Sequence, residues 1–293
     1  MNKFQRNYRL IVQLQDMSFL TIQPPFTIRF NVNRNVQGSM NTMDVSIYNL
    51  GLQHREQIGL DRFNASIYRL ISLEGGYGNQ LSQLFAGSIY EASSSREGPN
   101  MVTNITSHTG LYDIRSTQIF TTLQGNNGNG LTTQQIIQTL IGQFPNINKN
   151  PVINGLNSAV FPRPVTIQGS VWDNIQKFAS PLVPFVDNNR VYIIPNNGVL
   201  TGQITQIDAT TGLLETPRRD QNFLSVKTLF EPRVDMGQGI KVFSTSEPAY
   251  NGTYKVLGIQ HQGIISDAIG GELHSTFSLL VGGQIFTFEN IPS

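Results

Sequence analysis

The 293-residue sequence contains no cysteine. That absence excludes disulfides, thiolate nucleophiles and zinc sites built on thiolates. Charge is scarce as well. Asp, Glu, Lys and Arg make up 13% of the chain, about half of the usual share of roughly 25%. The net charge is only +1. Phosphate neutralisation needs clustered Lys and Arg, and the one basic cluster, Arg218–Arg219, has Glu215 and Asp220 beside it, which reads as a solvated turn. No stretch approaches the roughly 18 apolar residues of a membrane span. The apolar run near the start, Leu10–Val12, is too short for the core of a signal peptide. The expectation is a protein made and folded in a cytosol, with no membrane span.

Hydrophobic residues, at 39%, suffice for a buried core. The length allows two or three domains. Asn and Gln together outnumber all charged residues, so the polar surface is largely neutral amide. Such a surface suits a subunit that buries much of itself in an assembly better than a freely soluble enzyme.

The first hundred residues alternate apolar and polar side chains over Tyr8–Leu14, Phe26–Val32, Met43–Tyr48, Ala65–Leu73, Leu84–Tyr90 and Met101–Ser107. This period of two predicts strands. Pro24–Pro25 and Gly38–Ser39 mark reversals, and Leu52–Ile58 forms one short helix. Six strands in this span suggest a small barrel or sandwich. The middle differs. The loop GNNGNG at Gly125–Gly130 opens into a helix over Leu131–Phe144, with Ile137, Leu140, Ile141 and Phe144 at helical spacing. Thr132 and Gln135 fit a capping box, and Pro145 stops the helix. A second helix spans Ser170–Ser180, capped by Ser170 with Asp173, with Trp172, Ile175 and Ala179 on one face. Phe185–Val186 and Arg190–Ile194 pair through Asp187-Asn188-Asn189. From Thr205 onward the chain is β again. The expected architecture is mainly β with an α+β insertion: a β barrel over residues 1–112, an α+β domain over 113–205 and a second β barrel over 206–293.

Catalytic templates find no match. GNNGNG lacks the Lys and Ser/Thr of a phosphate loop, since Leu131 and Thr132 follow it. His261, Asp267, Glu272 and His274 lie near one another in sequence, but a metal site needs convergent ligands, and surface hairpin positions explain them more simply; His54 and His108 stand apart. The acids are scattered, with no aromatic-rich segment to mark a pair for glycoside hydrolysis. The single tryptophan, Trp172, reads as a core anchor. No G-x-S-x-G nucleophile elbow occurs. Asn64-Ala-Ser, Asn104-Ile-Thr and Asn251-Gly-Thr match the glycosylation pattern by chance in an Asn-rich chain. No catalytic, cofactor-binding or metal-binding residue is expected.

The C-terminal region carries GLLETP at Gly212–Pro217, VKTLFEPRVDMGQGIKVFS at Val226–Ser244 and NGTYKVLGIQHQGIISDAIGGELHSTFSL at Asn251–Leu279. The N-terminal third carries PFTIRFNV at Pro25–Val32, MNTMDVSIYNL at Met40–Leu50 and a long segment from Leu73 to Ile105. That segment contains the turn Arg96-Glu97-Gly98-Pro99-Asn100, with Asn where Asp is common. In this order, the chain resembles the baseplate hub proteins of tailed bacteriophages, the trimeric adaptors between tail tube and spike. The resemblance implies two barrels with the tail-tube fold in each subunit and a homotrimeric ring that matches the sixfold tube to the threefold spike. It implies the tail tube protein, the central spike protein and other baseplate proteins as partners, with non-specific passage of DNA on ejection. The amide-rich stretch Asn31–Thr42 suits burial against a neighbour. The implied place is the tail baseplate of the virion, assembled in the host cytoplasm. The alternatives are a hub of a protein-delivering injection machine, a host-binding adhesin or carbohydrate-binding module, and a cell-wall hydrolase.

Overall fold

The computed structural model describes residues 5–36, 40–59, 68–125, 130–196, 198–200, 204–220 and 223–281, with the backbone of 286–287. The chain divides into two compact units. Residues 1–108 and 197–293 form one, and residues 109–196 form the other.

The first unit begins with β1 (Arg6–Gln13), β2 (Phe19–Ile22), β3 (Ile28–Asn35), β4 (Thr42–Tyr48), the helix α1 (Leu52–Ile58), β5 (Leu70–Tyr77), β6 (Gln80–Glu97) and β7 (Asn100–His108). The alternation in Met43, Val45 and Ile47 places all three in the core. The hairpin between β6 and β7 turns at Gly98, whose φ of +60° explains the glycine in that turn. The buried Arg69 closes the end of α1 by donating to the carbonyls of Gln57 (2.8 Å), Ile58 (2.9 Å) and Gly59 (3.1 Å).

The second unit holds α2 (Leu111–Ser116), β8 (Gln118–Leu123), β9 (Leu131–Thr132), α3 (Thr133–Gly142), β10 (Asn148–Ile153), β11 (Val160–Phe161), β12 (Val165–Ser170), α4 (Val171–Ala179), β13 (Phe185–Asp187) and β14 (Arg190–Ile193). Thr132 caps α3 in a reciprocal box with Gln135, and the Ser170 hydroxyl accepts from the Asp173 amide at the start of α4. Asn188 and Asn189 take φ of +46° and +56°, the left-handed pair that a two-residue hairpin turn requires. Ile136, Ile137, Leu140 and Ile141 of α3 pack with Val171, Ile175 and Ala179 of α4, and the half-buried Trp172 leans on this core. Because the only tryptophan lies in this unit, its fluorescence reports unfolding here. Thr132→Ala removes one cap and is expected to destabilise this unit by about 1 kcal/mol, read as a lower urea midpoint in Trp172 emission.

The chain then returns to the first unit with β15 (Gly198–Val199), β16 (Thr205–Ile207), β17 (Arg218–Asp220), β18 (Phe223–Leu229), β19 (Gly239–Val242), β20 (Gly252–Ile265), β21 (Leu273–Leu280) and β22 (Phe286–Thr287). The central sheet has the order β17-β18-β21-β20-β3-β4-β7-β6-β5-β1-β2. From β17 to β6 every link is antiparallel. Those eight strands form two sets of four with one connectivity. In β17, β18, β21, β20 and again in β3, β4, β7, β6, the first strand pairs with the second. The second then pairs with the fourth, and the fourth with the third. The details repeat as well. The long strand β20 pairs with β19 over residues 252–255, shifts register between Val256 and Gly258, and continues past that strand. The long strand β6 pairs with β5 over residues 80–88, shifts register between Ile89 and Glu91, and continues likewise.

The mainly β chain with an α+β insertion is what the structure shows. No closed barrel is formed by the described strand pairs. The two ends of the chain instead share one sheet, joined where β20 pairs with β3 from Gly258–Asn35 to Ile265–Ile28. Pairing between segments this distant has no local sequence signature. Residues 65–67 of the strand expected over Ala65–Leu73, residues 126–129 of the GNNGNG loop, and the Gly38–Ser39 reversal lie outside the described residues.

Candidate assembly surface

The eight-strand sheet has one buried and one polar face, because side chains alternate along every strand. The register aligns the polar residues into rows that cross both ends of the chain. One row runs Lys227, Thr276, Gln260, Asn33, Thr42, His108. The next runs His274, Gln262, Asn31, Asp44, Thr106, Glu91. A third runs Arg29, Ser46, Asn104, Ser93. Hydrogen bonds run between and within the rows. Gln260 donates to Asn31 Oδ1 and to Gln262 Oε1, both at 3.0 Å. The Ser46 hydroxyl donates to Asn104 Oδ1 at 2.6 Å, and the Thr106 hydroxyl to Asp44 Oδ1 at 2.8 Å. On this face the cations Arg29 and Lys227 stand with the anions Asp44, Glu91, Glu97 and Glu272. Lys227 is further satisfied by Glu215 at 2.8 Å. A shallow groove of about 550 Å³ crosses the middle of this face, lined by Arg29, Asn31, Asp44, Gln262, Glu272 and His274 among others. The face is therefore wide, amide- and hydroxyl-rich, and without an excess of cations.

Beneath it, the joint between the two ends is packed and polar. Arg34 of β3 is 1% exposed and pairs with Asp235. His261 of β20 is fully buried, with Phe230 at 5.5 Å and Phe277 at 6.4 Å in edge-to-face contact. The Ser275 hydroxyl accepts from the Glu231 amide at 2.9 Å and lies 2.8 Å from His261 Nδ1. A neutral imidazole makes this contact in either tautomer, because a hydroxyl can donate to Nδ1 or accept from it. Burial pushes the His261 imidazole down to about 3, and the Arg34 guanidinium acts in the same direction. The Tyr77 hydroxyl donates to the Phe230 carbonyl at 2.8 Å, and burial pushes it up to about 12.

The structure corrects the reading of His261 and His274 as surface hairpin residues. His261 points into the core and His274 is only 8% exposed. Gln262 pairs with His274, so the two histidines lie on opposite faces of the sheet. Among the described residues no three of His, Asp and Glu lie close enough together to hold a metal ion, and no helix is long and apolar enough to cross a membrane. Asn31 and Asn33 sit in the middle of the polar face, and Asn41 is buried, accepting from the Asn35 amide at 2.8 Å. Arg218 and Arg219, expected in a turn, form the edge strand β17 with Asp220 and are exposed.

Solved structures share this fold. A tail protein from Neisseria meningitidis MC58 aligns with a TM-score of 0.57 and 11% identity, covering 93% of this chain and 96% of that one. The 43 kDa tail protein of prophage MuSo2 from Shewanella oneidensis aligns with a TM-score of 0.59 and 9% identity, with the same coverage, 93% and 96%. A chain of the lidded Francisella PdpA–VgrG complex aligns with a TM-score of 0.52 and 7% identity, covering 94% of this chain but 53% of that one. No curated protein matches the chain by sequence. The fold is that of phage tail proteins. The family described as baseplate hub gp41 matches residues 9–266, and the chain belongs to that family. Its role is structural, in the tail baseplate of a virion.

Proposed function

We propose that the chain is the hub subunit that forms a homotrimeric ring between a sixfold tail tube and a threefold spike, and that the ring conducts DNA on ejection. The observation that carries this reading is the repeated strand order in the central sheet. Each chain presents two four-stranded sets of identical connectivity, one from each end of the sequence. Each set is one tube-like half. Three copies would therefore present six similar units to the tube while keeping true threefold symmetry for the spike. A closed ring needs a heterologous interface whose rotation closes, and a chain with two like halves meets a sixfold partner at three copies.

In this reading the polar face lines the lumen. Its lack of excess cations suits passage of a polyanion, because an excess of Lys and Arg would hold phosphates. The tube protein meets one rim, the spike and other baseplate proteins the other, and assembly precedes release of virions from the host cytoplasm. The occurrence of the fold in a PdpA–VgrG complex, an assembly of unlike chains, agrees with a role in assembly.

Imaging the intact tail tip tests the copy number. The expected result is three copies in one ring, with interfaces on the order of 1,000 Å² or more in total. A twofold, fivefold or true sixfold ring defeats the hub assignment. Light scattering on free protein is secondary, because a ring nucleated by spike or tube leaves the free chain monomeric.

A further inference from the structure

Charge divides unevenly between the two units. The whole chain has a net charge of only +1, and the unit over residues 109–196 carries more than all of it. Its cations are Arg115, Lys149, Arg163, Lys177 and Arg190, and its acids are Asp113, Asp173 and Asp187. Two of these acids are buried. Asp113 is 1% exposed and accepts from the Asn146 amide at 2.8 Å, the Asn146 side chain at 2.7 Å and the Ile147 amide at 2.7 Å. Asp187 is buried as well. Arg115, Lys149, Arg163 and Lys177 are exposed, and among the acids Asp173 alone is. The surface of this unit is therefore more cationic than its composition. Such an asymmetry within one chain points to an anionic partner.

The same unit projects one aromatic ring into solvent. β8 and β12 form a two-stranded ribbon, paired from Leu123–Val165 to Gln118–Ser170. Its inner face turns Ile119, Leu123, Val165 and Ile167 to the core of the unit. Its outer face sets Gln118, Thr122, Thr166 and Gln168 around Phe120. Phe120 is 81% exposed, more than any other large apolar side chain among the described residues. The Thr122 and Thr166 hydroxyls lie 3.0 Å apart beside it, so the ring stands on polar ground. Arg115 precedes β8 at one end of the ribbon, and Arg163 precedes β12 at the other.

We propose that this ribbon docks on a bilayer surface rich in anionic phospholipid, with Phe120 entering the acyl boundary and Arg115 and Arg163 meeting headgroup phosphates on either side. Charge complementarity selects an anionic surface, and the lone ring selects lipid. A protein partner buries a contiguous apolar core, which one phenyl ring among Gln and Thr does not supply. Duplex DNA is held through its phosphates by cations and gains nothing from Phe120. A single strand stacks on successive aromatics along a basic groove, and this face has one. An apolar side chain flanked by cations is the pattern of an interfacial anchor. One such contact is weak, and copies held together in a baseplate strengthen it by avidity. The contact would hold the baseplate against a host membrane during ejection. It concerns residues 109–196 alone and does not depend on the copy number of the ring.

Co-sedimentation of the purified full chain with vesicles tests this. Vesicles of phosphatidylcholine mixed with phosphatidylglycerol are expected to bind about thirtyfold more tightly than phosphatidylcholine alone, and the preference is expected to shrink as salt rises. Arg115→Gln and Arg163→Gln are each expected to lower that preference about fivefold. Phe120→Ser is expected to weaken binding to the mixed vesicles about tenfold or more at every salt concentration. Lys241→Gln, an exposed cation of the other unit, is expected to change nothing. All of these positions are exposed, and unchanged Trp172 emission certifies the fold of the unit in each variant. Absent or equal binding to the two vesicle types overturns the proposal and leaves the ribbon to a protein partner. Binding that none of the three ribbon changes moves overturns it as well. Tighter binding to duplex DNA than to the mixed vesicles, unmoved by Phe120→Ser, overturns it in favour of a nucleic acid.

Discussion

Tails whose hub carries Asn33→Lys, Gln260→Lys and Thr276→Lys are expected to release DNA at least tenfold more slowly than wild type. The three residues are neighbours in one row of the polar face, so the proposed three-copy ring would carry nine cations in one belt around its lumen. Each lysine that reaches a phosphate displaces a counterion, and binding that uses 6–10 such contacts changes by roughly 10³–10⁵ between 50 and 200 mM salt. The slowing is therefore expected to be largest at low salt and to fade as salt rises. The corresponding glutamates add bulk of similar size with the opposite sign and are expected to leave release near the wild-type rate. Dye-detected release from receptor-triggered particles across a salt series measures this. Equal impairment by lysine and glutamate would place the effect on assembly and defeat the lumen assignment. So would a lysine variant that ejects at the wild-type rate.

Much of the local structure is legible in the sequence because its causes are local. The alternation of Met43, Val45 and Ile47 determines both strand and face. Thr132 and Gln135 mark the start of α3 three residues apart. Asn188-Asn189 and Gly98 mark hairpins because their backbones are left-handed. What is not legible depends on pairing. Nothing near Gly258 or Asn35 announces that they meet, and without the β3–β20 register the polar rows do not exist. The amide-rich composition indicates a neutral surface but not that Gln260, Asn31 and Asn33 gather on one face. Arg34 shows a signal that composition hides. It follows Ile28, Phe30 and Val32 at steps of two, so strict alternation puts this cation inside, and the structure does so with Asp235 as its partner. His261 follows the same parity as Ile259.

The joint between the two ends is expected to weaken in acid well above the range where carboxylates protonate. His261 is the reason. In the unfolded chain its imidazole titrates near 6.5, whereas burial beside Arg34 holds it to about 3 in the fold. The unfolded state therefore binds the proton first as pH falls. Stability contributed by the neutral ring is complete above 6.5 and is lost progressively down to 3. Between pH 8 and pH 5 the loss from this one group comes to about 2 kcal/mol, at 1.36 kcal/mol per unit. The groups facing the ring give no relief: Arg34 on β3 is a cation, Ser275 on β21 is an uncharged hydroxyl, and the Glu231 amide donates to Ser275. Asp235 is engaged with Arg34. Asp208 and Glu215 are held below the usual carboxylate range by their hydrogen bonds, so they act at lower pH. His274 is also held low by burial and adds a smaller slope, which a His274→Asn background removes. Urea unfolding at pH 8, 6.5 and 5 in that background, followed by far-UV circular dichroism, is expected to show the loss with His261 present. His261→Gln is expected to be less stable at pH 8 but nearly flat across the same window, since it cannot titrate. Parallel slopes in the two proteins would show that His261 is not the acid-sensitive group of the joint.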